Sequence, residues 1–260
     1  MAMAYTPYTN GGLCKDGGAV DSDLAAIKAK GFSSVRVYST DCHGLESIGN
    51  AAAAHGLKMI IGIFINGGGV GGASSQVSDI AAWARWDLVQ MLVVGNEAIF
   101  NNHCSASDLA GFISSVKQTL SGKGYNGPVT TTEPLGTYKD GNNGQTICAV
   151  VDIMGANLHP FFNANTPSSA AGEELSRQIK GVEALCPGKE MFVLETGWPS
   201  QGSPNGAAVP GSSQQAEALS GIVSAAGARS VILAYTDDMW KEPGPYGVEQ
   251  YFGCLKSGVW

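Results

Sequence analysis

Short apolar runs alternate with longer amphipathic stretches along the whole chain. Runs of four to eight residues at 4–8, 34–39, 58–65, 91–96, 129–132, 153–158, 192–195 and 231–235 read as strands, several of them continuous enough to be buried on both faces. Between them lie segments with helical spacing at 21–30, 45–55, 81–88, 107–120, 173–185 and 214–226. Residues 147–151 read as a short helix or turn, and 248–254 as a short last helix. Segment 107–120 is the clearest, with Leu109, Phe112, Ile113, Val116 and Leu120 on one face. Asp21 is an expected N-cap, and Gly56 an expected C-cap.

Eight strands alternating with helices predict an α/β fold, either a (β/α)8 TIM barrel or a doubly wound open sheet. Two strand ends favour the barrel. Val93-Val94-Gly95-Asn96-Glu97 and Val193-Leu194-Glu195-Thr196-Gly197-Trp198-Pro199-Ser200 each run apolar and then present a glutamate. The C-terminal ends of barrel strands are where such folds place their chemistry. A strand-end glutamate alone closes a salt bridge or caps a helix as readily as it catalyses. Two that converge on one cleft meet the requirement of glycoside hydrolysis, an acid for the leaving oxygen and a carboxylate for the anomeric carbon. The tract Gly67-Gly68-Gly69-Val70-Gly71-Gly72 formally fits the dinucleotide fingerprint, with Asp87 placed 20 residues (87 − 67) after Gly67. It continues into Ala73-Ser74-Ser75 and not at once into a helix, so a flexible loop over the barrel mouth is the simpler reading.

Length and composition narrow the partners. The 260 residues suit one barrel domain of roughly 250 residues. The net charge of −7 argues against nucleic acid and anionic membranes and is compatible with an uncharged polymer. No apolar run reaches the roughly 18 residues of a membrane span. Residues 1–4 lack the pattern of a signal peptide. They are expected to stand in place of a leader and outside the fold, leaving the domain at 5–260. The six cysteines form no Cys-x-x-Cys pair and the four histidines are scattered, so disulfides in a secreted chain are expected, with no metal and no cofactor. In a barrel, Cys14 and Cys42 follow strands 1 and 2 on one face, and Cys148 and Cys186 precede strands 6 and 7 on the other. These two pairs are expected, with Cys104–Cys254 left by elimination.

Asn96-Glu97 together with Glu195-Thr196-Gly197-Trp198-Pro199-Ser200 resembles glycoside hydrolase family 17, the retaining β-1,3-glucan-active enzymes, and most closely their short fungal cell-wall branch. The resemblance runs from Tyr5-Thr6-Pro7-Tyr8 to Gly247-Val248-Glu249-Gln250. It implies a single barrel without the subdomain that plant members carry after strand 6. It implies Glu97 as acid/base, Asn96 as a ligand of the sugar 2-hydroxyl, Glu195 as nucleophile and Tyr38 as a donor to that nucleophile. Asn157 lies at the end of strand 6 as a further sugar ligand, His159, Phe161 and Phe162 follow it, and Trp198 adjoins the nucleophile; the aromatic faces suit glucosyl rings. The family usually has Asp-Glu followed by Lys three residues on; here Asp238 replaces the Glu and Lys241 keeps its place. Glu133, ending strand 5, is expected either to bind substrate or to be structural. Tyr138, Phe161, Phe162 and Phe100 are the candidate aromatics for an acceptor sugar. The implied partners are β-1,3-glucan donor and acceptor, and the implied state is a secreted monomer in the cell wall. A glucanosyltransferase is the leading expectation, with an endo-β-1,3-glucanase and a non-catalytic glucan-binding wall protein as alternatives.

Overall fold

The computed structural model describes residues 1–255 and 257–260. Eight parallel strands close in sequence order into a barrel: β1 (Ala2–Ala4), β2 (Ser34–Val37), β3 (Lys58–Ile63), β4 (Val89–Asn96), β5 (Val129–Pro134), β6 (Met154–Asn157), β7 (Met191–Thr196) and β8 (Ser230–Ile232). Around it pack α1 (Gly17–Ala29), α2 (Gly44–His55), α3 (Ser74–Trp83), α4 (Ala106–Ser121), α5 (Leu135–Lys139), α6 (Asn143–Cys148), α7 (Ala171–Glu183) and α8 (Ser212–Ala226). This is the expected (β/α)8 barrel. Closure removes both the free sheet edges and the crevice of an open sheet, and with it the dinucleotide reading of the glycine tract. The connection after β6 holds only 3-10 turns before α7, so no subdomain rises there.

Several boundaries differ from expectation. β1 is Ala2–Ala4, fully buried and paired with β2 and β8, so three of the four leading residues set aside from the fold are part of the barrel wall. α1 starts at Gly17 under an Asp16 cap, whose side chain accepts from the Ala19 amide at 2.8 Å, and Asp21 lies inside the helix. The Gly17-Gly18 pair hid that first turn. The glycine tract leads through a 3-10 turn straight into α3, which therefore begins at Ser74 and not at 81. Only Val77 and Ile80 of α3 are buried, too few for a periodic signal, and the Gln76 side chain anchors its start on the Phe64 backbone at 2.9 and 2.8 Å. The last helix expected at 248–254 does not form. Instead the chain runs back along the end of β8, with Ala234 N donating to Phe252 O at 2.8 Å and Cys254 N to Ala234 O at 2.9 Å. Gly253 lies against the Asp237 backbone so closely that a Cβ would come within 2.3 Å of its nitrogen.

Two disulfides are those expected: Cys14–Cys42 joins the loops after β1 and β2, and Cys148–Cys186 joins the chain before β6 and β7, with Cα separations of 5.4 and 5.6 Å. Cys104 and Cys254 are free thiols. Cys104 follows β4 and Cys254 packs on the chain after β8, strands on opposite sides of an eight-stranded ring, so elimination fails on distance. Denatured, unreduced protein should therefore titrate two thiols. Native protein should leave Cys254 unreacted, because burial holds its thiol well above the ordinary range. Breaking Cys148–Cys186 should lower stability by about 3–4 kcal/mol, the loop-entropy value for its span. Urea unfolding of the double Ser variant reads the loss, and an unchanged midpoint contradicts it.

Candidate active site

The two strands that end in the glutamates both bulge at their C-terminal ends. Between paired positions, β4 advances three steps (Val93 to Asn96) while β5 advances two, and β7 advances three (Val193 to Thr196) while β8 advances two. On the other side of β7 the register slips again, setting Glu195 opposite Asn157. One extra residue in a strand re-aims every side chain beyond it. In β4 the extra residue needs Gly95 at φ +81°, and Glu97 itself sits at φ +54°. Glu97 and Glu195 are thereby turned into one cavity of about 790 Å³, lined also by Tyr8, Tyr38, Asp41, Phe64, His159 and Trp240.

Glu195 is buried among donors. Arg36 Nη1 donates to its Oε1 at 3.0 Å, His159 Nε2 lies 3.4 Å from Oε2, and Tyr38 lines the same cavity. Burial alone raises a carboxyl pKa. Here His159, Arg36 and Tyr38 together outweigh it and bring Glu195 down to about 2. Glu97 moves the other way. Its burial and the charge of Glu195 raise its pKa, opposed only in part by the Asn157 amide at 2.9 Å, His159 and Arg36. Two carboxyl groups in one cavity are thus pushed apart in acidity, one favoured as the anion and the other shifted toward its protonated form, which is the division of labour a glycosidase needs.

Asn96 and Asn157 tie the halves together. Asn96 Oδ1 accepts from Arg36 Nη2 at 2.8 Å and from Asn157 Nδ2 at 3.1 Å, while Thr132 Oγ1 donates to Asn157 Oδ1 at 2.7 Å. Lys241 Nζ lies 2.9 Å from Asp238 and lines the same cavity.

A second cavity of about 980 Å³ opens on the far side of Glu97, lined by Phe100, Leu135, Phe162, Asn163, Arg177 and Tyr246. Glu97, His159, Phe162 and Glu249 line both cavities, so the two form one continuous cleft. Glu195 lines only the first.

The model of the BtgE/BtgC glycoside hydrolase domain matches residues 2–253. The chain belongs to this glycoside hydrolase family. Relatives include the proteins named probable beta-glucosidase btgE of Aspergillus fumigatus and of Neosartorya fischeri. The first is 56% identical over 99% of this chain and 45% of its own length. The second is 55% identical over 99% and 46%. The chain therefore spans about half the length of the curated relatives it matches. Among solved structures, the glycoside hydrolase family 17 β-1,3-glucanosyltransferase of Rhizomucor miehei superposes with a TM-score of 0.82 at 21% identity, over 97% of this chain and 91% of that one. An endo-laminarinase from Formosa gives a TM-score of 0.82 at 16% identity, over 98% and 82%. At these identities what is shared is the fold.

Within this BtgE/BtgC barrel, Tyr38, Asn96, Asn157, His159, Phe162 and Lys241 line the cleft. Five residues do not. Phe161 is buried edge-on against Trp198, because the 3-10 turn Pro160–Phe162 sends neighbouring rings in divergent directions and only Phe162 faces out. Trp198 is fully buried, its indole nitrogen donating to Val209 O at 3.0 Å. Tyr138 is buried in α5, with its hydroxyl on Gly155 O at 2.8 Å. Glu133 is buried beneath the turn after β4, accepting from the Ile99 amide at 2.8 Å and the Phe100 amide at 3.1 Å. Burial pushes Glu133 up to about 7 in spite of those amides. Asp238 stands behind the cleft wall, where its Oδ1 accepts from Thr6 Oγ1 at 2.8 Å and from the Trp240 indole at 3.1 Å. Its shorter side chain holds Trp240 and Lys241 in place instead of reaching the cleft.

Arg36, Trp240, Tyr246 and Glu249 were not among the expected residues. Arg36 carried a usable signal, a full charge between Val35 and Val37 in a buried strand, which demands an anion. Replacing it with Met should leave Glu195 facing burial without its guanidinium and raise its pKa. Because Glu195 is depressed in the folded state, its contribution to stability is present above the ordinary carboxylate pKa. That contribution, about 3 kcal/mol, is lost as pH falls from about 4.5 to about 2. Urea unfolding between pH 2 and 7 should show this acid-side loss in the native protein. It should be smaller in Arg36→Met, which is also less stable at neutral pH by about 3–5 kcal/mol. Parallel pH curves for the two proteins contradict the assignment.

Proposed function

We propose that this domain is a retaining β-1,3-glucanosyltransferase acting on cell-wall glucan outside the cell. The observation that carries the reading is the asymmetry of the cleft. An acid/base touches the leaving oxygen, whereas a nucleophile touches only the sugar that is retained. The cavity reached by both glutamates is then the donor side, and the cavity reached by Glu97 alone is the leaving-group and acceptor side. Three exposed aromatic rings line that second cavity: Phe100 at 57%, Phe162 at 44% and Tyr246 at 43% exposure. They offer stacking surface to a second sugar chain. Transfer needs such a surface. Water competes at roughly 55 M, and a millimolar acceptor wins only when bound and oriented, where effective molarities reach about 10⁵–10⁸ M.

In the proposed reaction, ionised Glu195 attacks the anomeric carbon while Glu97 gives its proton to the departing oxygen. The glucosyl ester leaves Glu195 uncharged. One of the two causes that raise the Glu97 pKa is then gone, and Glu97 can take the proton from the acceptor hydroxyl that displaces the ester. Arg36, Tyr38 and His159 hold Glu195 as the anion before attack and stabilise it as leaving group afterwards. No step calls on a metal or cofactor. The family's hydrolase name and the probable beta-glucosidase name of its relatives favour a second reading in which water is the acceptor. A cleft open on both sides of Glu97 supports an enzyme that accepts internal bonds over one that trims single terminal sugars. The coherent charge pattern around Glu195 weighs against a decayed, purely glucan-binding barrel.

Products from laminari-oligosaccharides decide between transfer and hydrolysis. Chains longer than the donor should appear early and rise with donor concentration, with the β anomer retained by NMR. Only shorter chains, even at high donor, would mark an endo-β-1,3-glucanase. Phe162→Ala should lower the transfer-to-hydrolysis ratio more than total donor cleavage. For the roles, Glu195→Ala should abolish both reactions. Glu97→Ala should still be glycosylated slowly by an activated aryl donor, and azide should restore turnover. Failure of azide rescue would remove Glu97 from the acid/base role.

A further inference from the structure

Among the described residues of the barrel top, Glu133 is a carboxyl group with no exposed surface that lines neither cavity. Its two oxygens accept from consecutive backbone amides, Ile99 at 2.8 Å and Phe100 at 3.1 Å. Successive amides after a left-handed residue, here Glu97 at φ +54°, form an anion-binding concavity. The chain fills it with its own carboxylate. The turn is closed on itself by Asn101 N and Nδ2, both donating to Glu97 O at 2.9 Å, and by His103 N donating to Ala98 O at 2.8 Å. β5 also grips its start, since Glu97 N donates to Thr132 O at 2.9 Å.

We propose that Glu133 is a positioning residue for the leaving-group side of the cleft: by holding the turn 97–102 it sets both the aim of Glu97 and the place of Phe100 against a bound sugar. This rests on the glycosidase roles proposed above. Its selectivity follows from what the turn carries. Glu97 and Phe100 both serve the leaving-group side, and no residue that lines the donor cavity alone belongs to the turn. A general loss of folding would reduce every activity alike. A displaced turn would spare reactions that need neither a proton nor a leaving sugar.

The test compares wild type, Glu133→Ala and Glu133→Gln on two donors, a laminari-oligosaccharide and a dinitrophenyl laminaribioside whose leaving group needs no proton. In Glu133→Ala, kcat/KM on the oligosaccharide should fall about 100-fold, the cost of misplacing a catalytic group by roughly 1 Å, while the aryl donor changes little. Glu133→Gln keeps one acceptor oxygen but turns a donor toward the second amide, so it should recover part of the loss. Hydrogen exchange of the Ile99 and Phe100 amides should accelerate in Glu133→Ala, with the barrel strands unchanged. Equal falls on both donors, or unaltered exchange in the turn, would overturn the proposal. A wild-type protein that turns over neither donor would instead sink the β-1,3-glucan reading, and the exchange experiment would still decide whether Glu133 holds the turn.

Discussion

The chemistry of the barrel top depends on a single buried cation. Arg36 is 1% exposed, and its guanidinium reaches the Leu194 carbonyl, Glu195 Oε1 and Asn96 Oδ1 at once while stacking 4.5 Å from the Tyr38 ring. It comes from β2, yet it joins the ends of β4 and β7, which stand three strands apart in the ring. A buried charge without its partner is costly, so neither Arg36 nor Glu195 is tolerable without the other. The pair also has a directional effect. By stabilising one carboxylate it secures a negative charge beside Glu97, and that charge helps keep the second proton bound. The opposed acidities of the two glutamates are thus one electrostatic arrangement and not two separate adjustments.

That arrangement needs backbone geometry that regular strands cannot supply. A carboxylate on a regular strand points either into the barrel or out toward the helices. The extra residue in β4 and in β7 turns the last side chains toward the mouth, and the left-handed backbone at Gly95 and Glu97 completes the turn in β4. A non-glycine residue at positive φ is strained, and such strain persists only where the surroundings over-determine it. Here the determinants are identifiable: the Thr132 carbonyl on the Glu97 amide, the Asn157 amide on its carboxyl group, and the Glu133 carboxylate under the turn that follows.

This explains which features could be read in the sequence. Strand–helix alternation and the two strand-end glutamates carried the fold and the centre of the site, because burial and periodicity are local signals. Two disulfides followed from the topology, since a parallel barrel puts successive loops side by side. The third failed because an even cysteine count says nothing of distance across the ring. The aromatic residues divided for a similar reason. Phe161 and Phe162 are adjacent and chemically identical, but a 3-10 turn buries one and exposes the other, and only three-dimensional packing decides which. Trp198 and Tyr138 lie near strand ends but spend their rings on the core. Glu133 stayed open between substrate binding and a structural role because its two amide donors, Ile99 and Phe100, come from a different strand's loop. Arg36 was legible in principle, as a charge with no polar neighbour in a buried strand.

The division of the cleft has its own physical logic. A polymer that spans both cavities lies across Glu97, His159, Phe162 and Glu249, the residues common to the two sides. On the donor side Trp240 packs edge-on to Tyr8 at 4.9 Å, and Asp238 pins the indole from behind. The rings of the far side are more exposed: Phe100 makes up part of a turn, and Tyr246 sits in a short 3-10 segment. A pinned platform loses little entropy on binding and suits the chain that stays attached through the intermediate. More exposed aromatic surface suits partners that must leave and be replaced within one cycle. Firm binding on that side would retain the leaving chain and favour reversal. On the proposed reading, an open aromatic surface on that side suits both the departure of one glucan chain and the arrival of another.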